Sequence, residues 1–599
     1  GKLVEKLSSD DYNPMINATL PNFSVTEYTS VQDNFNIDWR IIPSMRLQGR
    51  FSYTKQLDKA EEFKSPKSPE FNYIASEVED AEKNKGSYYV KNGKTDRLDG
   101  NVTLSYFKNI GKSVLNIGIG TNMMATMTKG DWYTATGFVS ETMDFIGAGT
   151  AFKYNSKPSG SYDKSRLVGF FANVNYGWDN RYFFDFSYRT DGSSKFGRDS
   201  RFAPFWAVGF AWNVHKEHFV NWNERNLLKV RLSAGSTGSV NFESSQALTT
   251  YQYDFDNEYN GYYGVMLKGY GNPGLKWQNT YSYNAGIDWA FLKGRVQLNV
   301  DAYLKITDNL LLPIDIAPST GFYSYTENLG KSENRGIEGR LRVGIIENRA
   351  KELTWNVTLA GFANRNKIKK LSNMLEKMNE DANKEAALKG GTVYRQYAEG
   401  RSQSALMLVR SAGIDPATGN EVFIKADGSR TFVYDYRDKV NVGDMLPKME
   451  GNITSNLNWK GFNLYLLFRY QWGGKTYNST LADKVENNWQ HYERVRNKDK
   501  RALYDRWMNP GDEALFRRID EKTNAYQTTR LMQKNNLFSL QSVSLSYELP
   551  LKYASCIGAE RIKFLASMTD VFRISSIEQE RGTSYPFART FSIGLNVAF

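Results

Sequence analysis

Apolar and polar residues alternate one by one along many stretches of the chain. In 97–107, Leu98, Val102, Leu104 and Tyr106 share one face, and Asp99, Asn101, Thr103 and Ser105 the other. That two-residue period is the mark of a β-strand with one buried or lipid-covered face. In 168–176 the apolar face is Val168, Phe170, Ala172, Val174 and Tyr176. Tyr182, Phe184, Phe186 and Tyr188 follow against Asp185, Ser187 and Arg189. Val296, Leu298 and Val300 oppose Gln297, Asn299 and Asp301, and Ile337, Leu341, Val343 and Ile345 oppose Glu338, Arg340 and Arg342. The chain closes on Phe591, Ile593, Leu595, Val597 and Phe599 against Ser592, Gly594, Asn596 and Ala598.

A soluble sandwich also alternates, but its strands run to about 5–6 residues. These runs are about 9–15 residues, the length a tilted strand needs to cross a bilayer. The alternation predicts strands near 27–41, 44–56, 97–108, 112–128, 164–178, 180–190, 201–214, 226–237, 276–291, 294–307, 334–347, 351–365, 448–459, 461–472, 537–549, 560–572 and 588–599. The connections alternate between short, such as Lys108–Lys112 and Trp459–Phe462, and long, roughly 57–95, 129–163, 238–275, 366–447 and 473–528. Short inner turns and long outer loops are the habit of outer-membrane barrels. The expected fold is all-β: an antiparallel transmembrane barrel over 27–599, with residues 1–26 entering from an extracellular loop. In Lys367–Lys389, Ile368, Leu371, Met374 and Leu375 fall at helical spacing, which predicts a short amphipathic helix packed in the largest outer loop.

Composition fits this picture. Mean hydropathy is -0.56, yet barrel strands show lipid only every second residue, so a low mean does not exclude a membrane protein. No run of about 18 apolar residues marks a spanning helix. Aromatic residues make up 14% of the chain, with 37 Tyr and 35 Phe, in keeping with interfacial girdles. The single cysteine, Cys556, excludes a disulfide framework. The net charge of +12 is spread through the segments between strands, which reads as solvated loops rather than a nucleic-acid surface.

Several spaced motifs resemble those of SusC/RagA-like TonB-dependent outer-membrane transporters. They are Ser187-Tyr188-Arg189-Thr190-Asp191-Gly192-Ser193-Ser194-Lys195-Phe196-Gly197, the strand Leu228–Gly238, Asn272-Pro273-Gly274-Leu275-Lys276-Trp277-Gln278 and Asn334-Arg335-Gly336-Ile337-Glu338. Further along stand the loop Gly413–Asn420, Gly443–Lys448, Gly473-Gly474-Lys475, Arg506-Trp507, Pro510-Gly511-Asp512 and Ser544–Pro550. Their order from 187 to 599 carries the resemblance. It implies a barrel of about 22 strands with an N-terminal plug, of which this chain carries about 17. It implies uptake of a bulky oligomeric nutrient, glycan or peptide, under a SusD-like lipoprotein cap. It also implies energising by TonB through the plug. On that reading the plug and first strands lie outside this sequence, in a second chain or further segment, and the C-terminus is periplasmic. Phe599 resembles the terminal signal read by the barrel-insertion machinery.

Catalytic chemistry finds little support in the sequence. His215 and His218 form an H-x-x-H pair in a short turn, without the further ligands a metal needs. His491 lies in a long loop with no nucleophile signature around it. Gly269–Gly274 has the spacing of a dinucleotide fingerprint, but Pro273 and a following strand make it a turn. Asp415–Asn420 reads as hairpin-turn chemistry rather than a calcium loop. The expectation is no enzyme, no cofactor and no metal. Binding is the better reading. Trp132, Tyr133, Tyr262, Tyr263, Trp489, Tyr492 and Tyr504 lie in expected outer loops, where aromatic faces stack on sugars, pack on peptides or anchor a lid. The alternatives to active uptake are a scaffold barrel in a larger outer-membrane assembly and a passive porin.

Overall fold

The computed structural model describes residues 13–71, 81–153, 157–197, 200–222, 225–239, 247–269, 271–315, 324–328, 330–371, 398–487, 500–521, 523, 525–577 and 588–599. It is an all-β chain dominated by an 18-stranded antiparallel sheet. Among the described residues 17 of these strands are long, one for each strand that alternation predicts. They are β1 (Phe23–Ile42), β2 (Met45–Lys64), β3 (Ser87–Ile110), β4 (Ser113–Thr136), β5 (Ser159–Trp178), β6 (Tyr182–Ser193), β7 (Phe202–Asn213), β8 (Leu227–Ser239) and β9 (Gln278–Phe291). Then follow β10 (Val296–Asp308), β11 (Lys331–Asn348), β12 (Leu353–Lys370), β13 (Met449–Trp459), β14 (Phe462–Tyr477), β15 (Met532–Glu548), β16 (Arg561–Ser575) and β17 (Phe591–Ala598). The chain divides into two units. The first is Gly1–Asn175, Ser187–Trp206 and Val240–Trp277; the second is Tyr176–Phe186, Ala207–Ser239 and Gln278–Phe599.

In the first unit β1, β2, β3 and β4 pair as successive hairpins. The register puts Trp39 opposite Leu47, Leu47 opposite Leu104 and Leu104 opposite Ile119. One apolar face therefore runs unbroken across four strands. The strands are longer than alternation suggested: β3 and β4 have 24 residues each, roughly 80 Å of extended chain. A bilayer core accounts for less than half of that. The ladder continues because its far end has its own core. Phe63, Tyr88, Val90, Ala135 and Phe138 are buried together, with Phe23 and Tyr133 against them. The loops expected at 57–95 and 129–163 shrink accordingly to 65–86 and 137–158.

In the same unit two of the sequence motifs interlock. Trp277 stacks on Phe196 at 4.7 Å and donates its indole N–H to the Arg201 carbonyl at 3.2 Å. A Cβ on Gly197 would lie 1.9 Å from the Pro273 carbonyl oxygen, so only glycine permits this approach.

In the second unit β8 pairs with β9, and the pairing continues in order through β10, β11, β12, β13, β14, β15, β16 and β17. Large apolar residues share the outward face: Leu298 opposite Leu341, Leu341 opposite Leu359, Leu457 opposite Leu464, and Phe564 opposite Leu595. The helix expected from 367 does not begin there. Ile368 and Lys367 pair with Ser332 and Glu333, so the ladder extends β12 to Lys370. The remainder of that expectation, 372–397, lies outside the described residues. Among the described residues the partners of β1 all lie on β2, and those of β17 on β16.

Candidate functional site: a polar wall and an outer loop body

Every second side chain of the strands belongs to the face opposite the apolar one. In the first unit this face carries Gln32 on β1, Arg50 and Ser52 on β2, Arg97 and Asn101 on β3, and Asn122 on β4. These residues line a cavity of about 730 Å³. Its fittings are side-chain hydrogen bonds. Gln32 donates to Ser52 Oγ at 3.1 Å, Arg97 to Asp99 at 2.7 and 3.0 Å, and Arg189 to both Asp191 and Asn122 at 2.6 Å. Among the described residues Arg50 reaches only Asn34, at 3.4 Å. The cavity thus offers amides, hydroxyls and one guanidinium with capacity to spare, a set that matches hydroxyls, peptide groups or a carboxylate.

In the second unit the same face carries Arg231, which donates to Asp288 at 2.8 Å and to Asp301 at 3.0 Å. Asn299 donates to Asp288 as well. Farther along, the Tyr303 hydroxyl donates to Asn364 at 3.1 Å and Asn366 donates to Asn334 at 2.9 Å. Tyr303, Asn364 and Asn366 meet Ser402, Asp444 and Lys448 around a cavity of about 760 Å³. The motif Gly443–Lys448 therefore forms part of a cavity wall. Lys475 braces it by donating to the Val442 carbonyl at 2.6 Å.

The motifs Gly413–Asn420, Arg506-Trp507 and Pro510-Gly511-Asp512 build one body in the loops of this unit. Ala405–Ile414 pairs with Glu421–Ile424 and with Lys439–Asp444, and Glu421–Ile424 pairs with Arg430–Thr431, which gives a small antiparallel sheet. In the turn Asp415–Asn420, Thr418 N–H and Oγ1 donate to Asp415. Gly419 has φ +72°, and a Cβ there would sit 2.6 Å from the Trp507 ring. Trp507 and Gly511 both donate to the Pro416 carbonyl, at 2.8 and 2.7 Å. The turn is thus tied to the Arg506-Trp507 and Pro510–Asp512 motifs by hydrogen bonds.

Beneath it Leu481, Ala482, Val485, Ala502, Phe516 and Leu531 are buried together. Threaded through this core are charges that alternation gave no reason to expect. Arg530 bridges Glu421 and Glu486 at 3.2 Å each, and Arg517 donates to Glu486 at 2.7 Å, all of them nearly inaccessible. Arg506 donates to the carbonyls of Ala502, Arg517, Val485 and Glu486. Burial alone would raise the Glu486 carboxyl, but Arg530 and Arg517 outweigh it and hold it below its ordinary range. Burial against Tyr526, stacked at 4.1 Å, pushes the Tyr434 hydroxyl up to about 12.

The structure sorts the aromatic candidates. Tyr133 packs on the Phe63 core. Trp132 is half-buried with the Lys91 ammonium 6.0 Å from its ring. Tyr262 and Tyr263 stand exposed at the turn of the hairpin Thr250–Tyr259 and Tyr262–Gly269. Tyr504 is 75% exposed at the end of the helical turn Arg501–Tyr504. Trp489, Tyr492 and His491 lie outside the described residues. Phe599 is exposed just beyond β17. His215 Nδ1 lies 3.0 Å from the Leu228 carbonyl oxygen. Among the described residues no group of three or more His, Cys, Asp or Glu could hold a metal. Arg50, Arg97, Asn122, Asn364 and Asn366 were not singled out from the sequence, although the polar parity of their strands was legible there.

The TonB dependent receptor-like, beta-barrel family matches residues 5–492 of the chain. The TonB-dependent receptor P3 of Formosa agariphila is 25% identical over 539 residues, 83% of this chain and 52% of that protein. The TonB-dependent receptor SusC of Bacteroides thetaiotaomicron is 35% identical over 217 residues, 35% of this chain and 21% of that protein. The chain therefore spans about half the length, or less, of these relatives. In fold it is similar to the solved RagAB peptide transporter, with a TM-score of 0.85 at 20% identity, over 100% of this chain and 65% of that one.

Proposed function

The chain belongs to the TonB-dependent receptor-like β-barrel family, and from that membership we propose that it forms most of the wall of an outer-membrane transporter for a bulky polar oligomer, a glycan or a peptide. The observation that carries this reading is the polar face itself. Each unit has one face of amides, hydroxyls and arginines, and a cavity of about 730 or 760 Å³ opens on it. A wall in lipid needs no such polarity on its far side unless polar matter sits there. Protein and cargo both meet that description, so a plug segment faces part of the wall and the nutrient another part.

Among the described residues β1 pairs with β2 and β17 with β16, and their other edges, which lipid does not tolerate open, are met by further strands of the same barrel. TonB acts through the plug, and the C-terminus, with Phe599 as insertion signal, faces the periplasm. A SusD-like lipoprotein covers the loop side. Exposed Leu503, Tyr504, Met508 and Leu515 support this, because an apolar set of that size in water calls for a partner. Deleting the gene is expected to abolish growth on one oligomer while growth on its monomers continues. Unchanged growth on every glycan and peptide oligomer offered would refute active uptake and leave the scaffold and porin readings.

A further inference from the structure

The outer ends of β1 to β4 run on well past the length a bilayer needs, and the two faces of that extension differ. Its outward face is closed by the core of Phe63, Tyr88 and Phe138, on which Tyr133 packs. Its inward face, which continues the polar wall, is built differently. One row across the four strands is Thr26, Ala60, Lys91 and Trp132, and the row beneath it is Tyr28, Asp58, Gly93 and Gly130. The register is unbroken between these rows and those that line the cavity. Trp132 and Lys91 therefore share a face with Arg97, Asn101 and Asn122.

Two aromatic rings stand at opposite ends of these rows, with small residues between them. Tyr28 on β1 is 74% exposed. Trp132 on β4 is half-buried, with the Lys91 ammonium 6.0 Å from its ring. Three strand spacings separate β1 from β4, about 14 Å, which is room for more than one sugar ring. Between the aromatics Ala60, Gly93 and Gly130 leave a floor without bulk. The backbone does not require either glycine, since neither has a positive φ. A Cβ at Gly93 would meet Asp58 at 3.3 Å, and one at Gly130 the Ser161 hydroxyl at 3.3 Å, contacts that a small shift relieves. Polar groups border the floor. Asp58 accepts from Gln56 at 2.7 Å, and in the row below the Thr95 and Thr128 hydroxyls lie 3.4 Å apart.

We propose that this face is a subsite for a neutral glycan, with one sugar ring stacked on Trp132 and the next reaching toward Tyr28. The C–H face of a pyranose lies flat on an aromatic ring. Its hydroxyls point sideways, where the Asp58 carboxylate, the Lys91 ammonium and the threonine hydroxyls can accept or donate. In these two rows one carboxylate stands with one ammonium, which leaves no net charge to select an ionised cargo. A peptide is a poorer fit. Extended peptides are bound by a free sheet edge and by pockets for alternate side chains, whereas β2 and β3 are paired on both sides at this level. The subsite builds on the uptake reading and narrows its cargo from a glycan or a peptide to a glycan.

The test uses the purified protein with every segment and partner that accompanies it. A panel of uncharged hexose and pentose oligosaccharides, and of peptides of matching length, is titrated by calorimetry. At least one oligosaccharide is expected to bind. Trp132→Ala is expected to weaken that binding roughly tenfold, the equivalent of one aromatic stacking contact, and Trp132→Phe to restore most of it. Gly130→Val raises the floor with a residue that suits a strand, and is expected to weaken binding as much while the thermal midpoint holds. Tyr162→Ala, on the outward face of β5, is expected to change nothing. Binding by Trp132→Ala and Gly130→Val equal to the parent's overturns the proposal. So does a panel in which only peptides bind or nothing binds, and so does loss of a partner chain from Trp132→Ala with oligosaccharide binding intact. Growth separates the two readings. If deletion abolishes growth on an oligosaccharide that Trp132→Ala cells still bind and use like the parent, the subsite falls and uptake stands. If an oligosaccharide binds through Trp132 and deletion leaves growth on it unchanged, uptake falls and the subsite stands.

Discussion

In the second unit, the sheet wall and the loop body handle charge in opposite ways. On the wall, Arg231 and its partners Asp288 and Asp301 stand on the polar face, about one-quarter to one-third exposed. In the body, Arg530, Glu421 and Glu486 are at most 3% exposed and sit among Leu481, Val485 and Phe516. The wall is held by a backbone ladder that runs the length of every strand, with side-chain pairs added on top. The body has a few short strands and depends on particular side chains to close it. The wall should therefore tolerate the loss of any one charge, and the body should not.

The largest expected effect tests that contrast directly. Glu486→Gln leaves Arg517 without a charged partner and Arg530 with only Glu421, inside a low-dielectric core. Breaking a buried pair in this way costs roughly 3–5 kcal/mol. Limited proteolysis and hydrogen exchange across 398–444 and 478–531 should show the body opening, while the strands β8 to β17 keep their protection. Equal loss in both regions would show that they fold as one cooperative unit. Low pH offers the same test without a mutation. Glu486 is held below its ordinary value of 4.5. Its contribution is therefore fully present above that value and is lost as pH falls through the folded-state value. The body should loosen below about pH 4.5, and Glu486→Gln should flatten that part of the profile.

A backbone change in the same body comes next. Gly419→Val forces a branched side chain into φ +72° and against Trp507. Strain of that kind costs about 1–3 kcal/mol, and the overlap with the ring adds to it. Trp507 fluorescence should report the turn leaving its place. An unchanged spectrum would separate the turn from the Arg506-Trp507 motif. On the wall, Arg231→Gln should cost only about 0.2–1 kcal/mol, visible as a small shift in thermal midpoint. A loss as large as that from Glu486→Gln would erase the contrast between wall and body.

The same contrast explains what could be read in the sequence. Each strand of the wall announces itself within about ten residues, because alternation is local: Leu298 and Val300 against Asn299 and Asp301 need no knowledge of their neighbours. All 17 strands were legible for that reason. Their outer ends were not, since β3 and β4 are prolonged by a core that joins Phe63, Tyr88 and Phe138 from three separate segments. The body was invisible for a stronger form of the same reason. Arg530 finds Glu421 across 109 residues and Thr528 finds the same carboxylate across 107, and no period in the sequence connects them. The motifs in this region could be quoted, yet their meaning is packing: Gly419, Pro416 and Trp507 hold each other. Of the candidate site, polar parity was readable, but which of its residues surround a cavity depends on register between distant strands and on loops that fold back, as Ser402 and Asp444 do beside Asn364.

The smallest expected effect on stability falls at the surface of the body, and it carries the sharpest functional question. Asp505 accepts hydrogen bonds from both Leu515 and Phe516, so the segments around 505 and 515 form one ribbon. Arg506 and Phe516 turn inward from this ribbon, whereas Tyr504 and Leu515 are exposed. Tyr504→Ala combined with Leu515→Ser removes apolar area that stands exposed among the described residues, so the thermal midpoint should move by no more than about 0.5 kcal/mol equivalent. If the ribbon seats the lipoprotein cap, loss of these two anchors should weaken co-purification of the cap roughly tenfold or more. Glu486→Gln should weaken it too, but only through the body's opening, so its difference from the parent should shrink at acid pH, where the parent's body loosens as well. Two variants that weaken cap binding alike, one with an intact body and one without, would assign the ribbon as the contact and the buried arginines as its support. Full cap binding by Tyr504→Ala/Leu515→Ser would move the contact elsewhere and leave the exposed apolar ribbon as a surface for some other partner.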